Sequence, residues 1–177
     1  DKEGDTYIKK AKNLATTINK LFYSNNKKLY IDAIYKDKKS NHISQQTNAL
    51  AILSDICSLK RAKFILNHVL DQNNPDICRC TPYFWYYMFR ALSKAGYFEQ
   101  IIYYIKSLWT DMLNQGATTW WETFSGDQKD SLCHAWSSTP CYEILSEIVG
   151  VKPIDYGFRD VLIYPKIHLL SKVDTCI

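Results

Sequence analysis

Three segments begin with a capping hydroxyl and then turn apolar around most of their girth: SQQTNALAILSDIC from Ser44, TPYFWYYMFRALSKAG from Thr81 and TPCYEILSEIVG from Thr139. A helix that is greasy on more than one side must be buried on more than one side. Ser44 reads as an N-cap. Thr81 and Thr139 are each followed by proline, which fits the first helical position. Gly96 and Gly150 stand where such helices close. Between these segments lie stretches with a single apolar stripe: residues 5–23, stepping through Tyr7, Ala11, Leu14, Ile18 and Phe22; Lys60 to Leu70; and Phe98 to Leu113. Inner-type helices thus alternate with outer-type partners. That alternation predicts a mainly α chain, either a generic helical bundle or, more sharply, a toroid of helical hairpins with the capped ends of the inner helices at one mouth.

The last stretch changes character. Pro153 breaks the helical pattern, Gly157 turns, and FRDVLIYPKI reads as a strand. A lone strand needs a partner. The sequence offers one only near Ile31, so the expected partner is either that piece or strands not in this chain.

At 177 residues the chain suits one domain with a real core. The net charge of +4 comes from lysines concentrated early, from Lys9 to Lys39. They fall on helix exteriors and loops, as a solvated face would, without the interleaved aromatic stripe of a nucleic-acid binder. No apolar run approaches the ~20 residues of a membrane span. The chain starts Asp-Lys-Glu-Gly without Met, which reads as a piece of something longer. Neither nucleic acid nor membrane is expected as a partner, and the compartment is left open. Of the six cysteines, Cys57 and Cys133 sit in apolar contexts and are expected to be buried thiols. Cys78, Cys80, Cys133 and His134 lack the paired spacing of a metal site, so neither metal nor cofactor is expected.

Chemistry concentrates in GATTWWETFSGDQKDSLCHAWSSTP, from Gly116 to Pro140. Glu122 follows two tryptophans and precedes a His-Ala-Trp-Ser-Ser run. Thirteen tyrosines and five tryptophans exceed what a small core needs and favour a ring-lined surface. Trp120, Trp121 and Trp136 can stack on the apolar faces of a pyranose, as can Tyr83 and Trp85 at the second inner helix mouth, while Phe84, Tyr87 and Met88 read as core. Glu122 can accept a proton from water. His134 can bond a sugar hydroxyl or, equally, be a core histidine satisfied by a carbonyl. Asp127 and Asp130 are expected to face solvent. Ser137 and Ser138 lack the acid and strained elbow that a nucleophile needs. Gln45 and Gln46 either reach toward a sugar or cap their helix.

SQQTNALAIL, TPYFWYYMFRALSKAGYFEQ, GATTWWETF, SLCHAWSSTP and VGVKPIDYGFRDVLIYP, in that order, resemble the C-terminal half of the bacterial α-L-rhamnosidase catalytic domain. The resemblance implies half of an (α/α)6 toroid over residues 1–152, then a truncated β-sandwich over 153–177. It implies an inverting glycosidase acting on rhamnose-containing glycosides or polysaccharides, with Glu122 as general base and His134 touching the sugar. The family's general acid lies in an upstream acidic loop that this chain lacks, so the isolated chain is expected to be inactive. Half a ring leaves apolar flanks uncovered, and self-association through them is expected. The competing readings are another enzyme on the same toroid, or a non-catalytic helical scaffold or sugar-binding module.

Overall fold

The computed structural model describes residues 1–127 and 129–175. Seven α-helices carry the architecture among them: α1 (Lys2–Phe22), α2 (Gln45–Leu53), α3 (Leu59–Val69), α4 (Trp85–Ala95), α5 (Phe98–Tyr104), α6 (Thr110–Asn114) and α7 (Thr139–Glu143). Eight strands of two or three residues form pairs: β1 (Tyr23–Ser24) with β2 (Leu29–Tyr30), β3 (Ile34–Tyr35) with β4 (Lys38–Lys39), β5 (Ile43–Ser44) with β6 (Ile77–Cys78), and β7 (Val151–Pro153) with β8 (Val161–Ile163). The chain divides into two compact units, Asp1–Cys80 and Thr81 onward.

In the first unit Ser44 caps α2 as its sequence predicts, its hydroxyl accepting the Thr47 N–H. The helix is held by buried amides. Asn48 accepts from Tyr30 N–H and donates to the carbonyls of Tyr30 and Ser44. Gln45 donates to the Val69 carbonyl and accepts from Cys80 N–H. A buried amide left unsatisfied is costly, so these two side chains fix the register of α2 against its neighbours. Gln45 is therefore a structural tie and does not reach toward a sugar. The core runs through Ile43, Ala49, Ile52, Ile65, Leu66, Val69 and Ile77.

The apolar stripe of α1 behaves differently. The helix buries no residue, and Tyr7 and Leu14 are 61% and 60% exposed. Only its C-terminal part is tied down, where Asn19 donates to the Ile56 carbonyl and accepts from Tyr30 and Arg61.

In the second unit Pro82–Phe84 make a 3-10 turn that runs into α4, and Gly96 closes α4 in the left-handed region at φ 79°. Trp85, Met88, Phe89, Leu92, Ile101, Trp109 and Met112 fill the core. The outer helix continues from α5 through a π-turn, Ile105–Trp109, into α6. Thr139 departs from its expected role. A 3-10 turn, Ala135–Ser138, leads directly into α7, so Thr139 lies inside the helical run rather than capping it. A π-turn, Ile144–Val149, continues to Gly150, whose φ of 78° ends the run.

The terminal strand is shorter than FRDVLIYPKI, and its partner within the chain is not the segment near Ile31. β8 pairs antiparallel with β7, Val151 opposite Ile163 and Pro153 opposite Val161. The Tyr164 and Lys166 N–H groups extend the pairing to the carbonyls of Gly150 and Ile148. Gly150 is required twice over, since a Cβ there would strike the Tyr164 carbonyl. The last two residues of the predicted 153–177 region lie outside the described residues.

Arg90 of α4 forms ion pairs with Glu143 and Glu147, and Lys152 of β7 reaches Glu147 at 2.6 Å. Burial pushes Glu143 up to about 7. Burial also works to raise Glu147, but Lys152, Ser93 and Arg90 together hold it below the usual carboxylate value. The thiol expectations are partly reversed. Cys133 is exposed and Cys57 half-buried, while Cys80 is buried and its thiol is pushed up to about 12 by desolvation. Cys133 sits in a loop beside the half-exposed Leu132, so its apolar neighbour makes no core. Cys176 lies outside the described residues.

Candidate active site

The segment after α6 is a loop folded back on itself. Thr119 donates its hydroxyl to the Leu132 carbonyl, and His134 N–H donates to the Trp120 carbonyl at 2.7 Å. Glu122 and Ser131 are bonded twice: Glu122 N–H to the Ser131 carbonyl at 2.9 Å, and Ser131 N–H to Glu122 Oε2 at 3.0 Å. Residues 119–122 and 131–134 thus run side by side in opposite directions. The twelve-residue separation of Glu122 and His134 in sequence collapses to adjacent arms of one loop neck. Glu122 is half-buried and held by a backbone donor, which suits a carboxylate kept in one orientation.

The aromatic candidates divide by burial. Trp136 is 68% exposed, and its ring lies 5.0 Å from that of Tyr83, tilted by 34°. Tyr83 in turn meets Tyr87 edge-on at 6.2 Å. The two rings form an open aromatic surface beside the His134 turn. Trp120 is half-buried and borders a hollow with Leu113, Ala117, Thr118 and Thr119. Trp85 corrects the sequence reading: at 3% exposure it packs against Phe89 and Tyr104, with ring centroids 5.1 and 4.8 Å away. Its position at the first turn of α4 points it inward, away from the open surface formed by Trp136 and Tyr83. Trp121 is also buried, its six-membered ring lying on Gly126, where a Cβ would collide with it. Its side chain shapes the loop from inside.

Asp127 is exposed as expected. Asp130 is not: it is half-buried and accepts from the Thr123 hydroxyl at 2.6 Å. Ser137 is buried, and its carbonyl accepts the Trp109 indole N–H at 2.8 Å. The Trp109 ring also meets Phe124 edge-on at 5.2 Å. Trp109 therefore touches both arms of the loop, three residues past His134 and two past Glu122. In the sequence it is one apolar position of an outer-type helix. Its signal was the size of the side chain and a polar N–H that a buried tryptophan must satisfy. An apolar hollow in the first unit, lined by Ile18, Phe22, Leu50, Ala51 and Ile56, contains one acid, Asp32, already engaged by Ser44. It lacks the chemistry of a catalytic site.

A family profile described as the bacterial alpha-L-rhamnosidase 6 hairpin glycosidase domain matches residues 1–148. The chain belongs to this family. This rhamnosidase-family chain superposes on a GH78 family rhamnosidase of Bacillus sp. GL1 with a TM-score of 0.83 and 32% identity, over 94% of this chain and 18% of that one. A rhamnosidase from Klebsiella oxytoca with rhamnose bound gives a TM-score of 0.70 at 21% identity, over 81% of this chain and 29% of that one. At that identity the second likeness shows the six-hairpin fold. No curated protein matches. The mainly helical architecture expected from the alternating segments is that of the family's glycosidase domain. No helix among the described residues is long and apolar enough to cross a membrane.

Proposed function

We propose that this chain supplies the general base and part of the sugar-binding surface of a glycoside hydrolase that cleaves terminal α-L-rhamnosides with inversion. The observation that carries the reading is the paired loop neck that brings half-buried Glu122 and His134 into adjacent arms. In the mechanism, the Ser131 N–H steadies Glu122 Oε2 and the other carboxylate oxygen takes a proton from the attacking water. General-base catalysis of this kind contributes about 10²–10⁴-fold. The water then attacks the anomeric carbon on the face opposite the departing oxygen. His134 bonds a sugar hydroxyl, Trp120 flanks the loop, and the Trp136–Tyr83 surface stacks on the apolar face of a ring. Trp85 and Trp121 shape the site from the core.

Inversion requires a second carboxyl about 6.5–9.5 Å away, across the sugar. Asp127 and Asp130 are on the base's own loop, and Asp130 is engaged by Thr123. The family resemblance puts the acid in an upstream part of the catalytic domain, and on that reading the chain by itself does not turn over. This is consistent with its covering 18% of the length of the Bacillus enzyme. The solvent-facing apolar residues of α1 support self-association of the isolated chain, checked by light scattering.

Glu122→Gln in the full-length protein tests the base. Turnover of an aryl α-L-rhamnoside should fall about 10²–10⁴-fold with rhamnose binding kept. NMR of the wild-type reaction should show β-L-rhamnose as the first product. Unchanged turnover removes Glu122 from the mechanism, and a non-catalytic scaffold or sugar-binding role for this chain becomes the better reading.

A further inference from the structure

The hydrogen bond between Thr123 and Asp130 lies one step inside the pair of hydrogen bonds between Glu122 and Ser131. Thr123 follows Glu122 in sequence, and Asp130 precedes Ser131. The Thr123 hydroxyl donates to Asp130 Oδ2 at 2.6 Å, and the same hydroxyl lies 3.0 Å from the Ser125 hydroxyl. Asp130 N–H is also bonded, to the Asp127 carbonyl at 2.9 Å. Charge-assisted hydrogen bonds are the stronger kind, and this one is short. It closes the neck on the loop side, while the bonds from His134 to Trp120 and from Thr119 to Leu132 close it on the other side. Glu122 is thereby clamped between rungs, and the N–H that holds its Oε2 belongs to the residue next to Asp130.

Resting on the reading of Glu122 as the base, we infer that Thr123 and Asp130 are positioning residues: their hydrogen bond keeps the Ser131 N–H aimed at the Glu122 carboxylate. Neither needs to touch the sugar. Without the bond the two arms separate at the next rung. Glu122 then loses its fixed orientation while the rest of the sugar surface, on Trp136 and Tyr83, stays in place. A general base displaced by a fraction of an ångström loses rate more than affinity.

Thr123→Val removes the donor at nearly constant volume, and Thr123→Ser restores it. Hydrogen exchange on the full-length protein reads the clamp directly. The Ser131 and Glu122 amides should exchange about tenfold faster or more in Thr123→Val and return to the wild-type rate in Thr123→Ser. In the full-length protein, Thr123→Val should lower kcat for an aryl α-L-rhamnoside about tenfold with KM within about twofold, and Thr123→Ser should recover it. Exchange within twofold of wild type in Thr123→Val overturns the inference. So does faster exchange with unchanged kcat. The Glu122→Gln result is separate: if turnover survives that change, the base assignment fails while the exchange measurement still judges the clamp. Should Thr123→Val not fold, Asp130→Asn, which keeps an acceptor oxygen without the charge, gives the same comparison in milder form.

Discussion

Replacing Arg90 by methionine would strand a charge that the second unit buries. The Glu143 side chain is fully buried and that of Glu147 is 1% exposed, whereas Arg90 keeps 20% exposure. Glu147 would retain Lys152 at 2.6 Å and the Ser93 hydroxyl. Glu143 would keep the charge of Lys152 but lose its Arg90 hydrogen bond, and its Oε1 is already buried without a hydrogen-bond partner among the described residues. Methionine keeps most of the arginine stem, so the loss is electrostatic. Removing one member of a buried pair costs about 3–5 kcal/mol, a large part of the 5–15 kcal/mol that stabilises an ordinary domain.

The pH dependence makes the test sharper. Burial already lifts Glu143 to about 7, above its ordinary 4.5. A group raised on folding contributes stability below about pH 4.5 that is lost as pH climbs through about 7. Glu147, held below its ordinary value, has the opposite sign: its contribution is present above that value and lost as pH falls. Without Arg90, Glu143 shifts further upward and escapes its penalty by binding a proton. The cost of Arg90→Met should therefore be greatest near pH 8 and smaller near pH 5. Urea unfolding followed by tryptophan fluorescence at the two pH values measures it. The double change with Glu143→Gln should recover most of the loss at pH 8, since no charge is then stranded. A cost below about 1 kcal/mol at pH 8, or equal costs at both pH values, refutes the buried-cluster account.

Gly150→Ala combines left-handed backbone with a clash against the Tyr164 carbonyl, and should cost about 1–3 kcal/mol or more, read as a lowered Tm in calorimetry; an unchanged Tm would contradict the described pairing of β7 with β8. Trp85→Ala should cost about 3–5 kcal/mol in urea unfolding, whereas Trp136→Ala should stay within about 0.5 kcal/mol yet weaken rhamnoside binding. The reverse pattern would exchange their roles. At pH 8 the Cys80 thiol should resist a thiol-reactive dye in the folded chain while exposed Cys78, Cys133 and Cys141 react; rapid labelling of Cys80 before unfolding would show that its burial is wrong.

Much of the helical order was legible in the residues because its causes are local. A hydroxyl at Ser44 finds the N–H of Thr47 three residues on, and the glycines at 96 and 150 take a left-handed φ that side chains resist. Pro82 starts its turn for the same kind of reason. The stretch carrying Glu122 and His134 was legible as chemistry, from its residue types. Its geometry was not, because bonds between residues 119–122 and 131–134 join positions that no short-range rule relates.

What only the tertiary structure decided is which apolar side chains find neighbours. Trp85 and Trp136 read alike as aromatics near a helix start, yet one is enclosed by Phe89 and Tyr104 and the other lies open beside Tyr83. The α1 stripe has the period of a buried face, but no residue of that helix is buried. β8 takes β7 as its partner, across a turn, when the sequence pointed elsewhere. Periodicity and composition determine which face of an element avoids water. Burial is a property of pairs of surfaces, so the second surface had to be seen before any of these residues could be given a role.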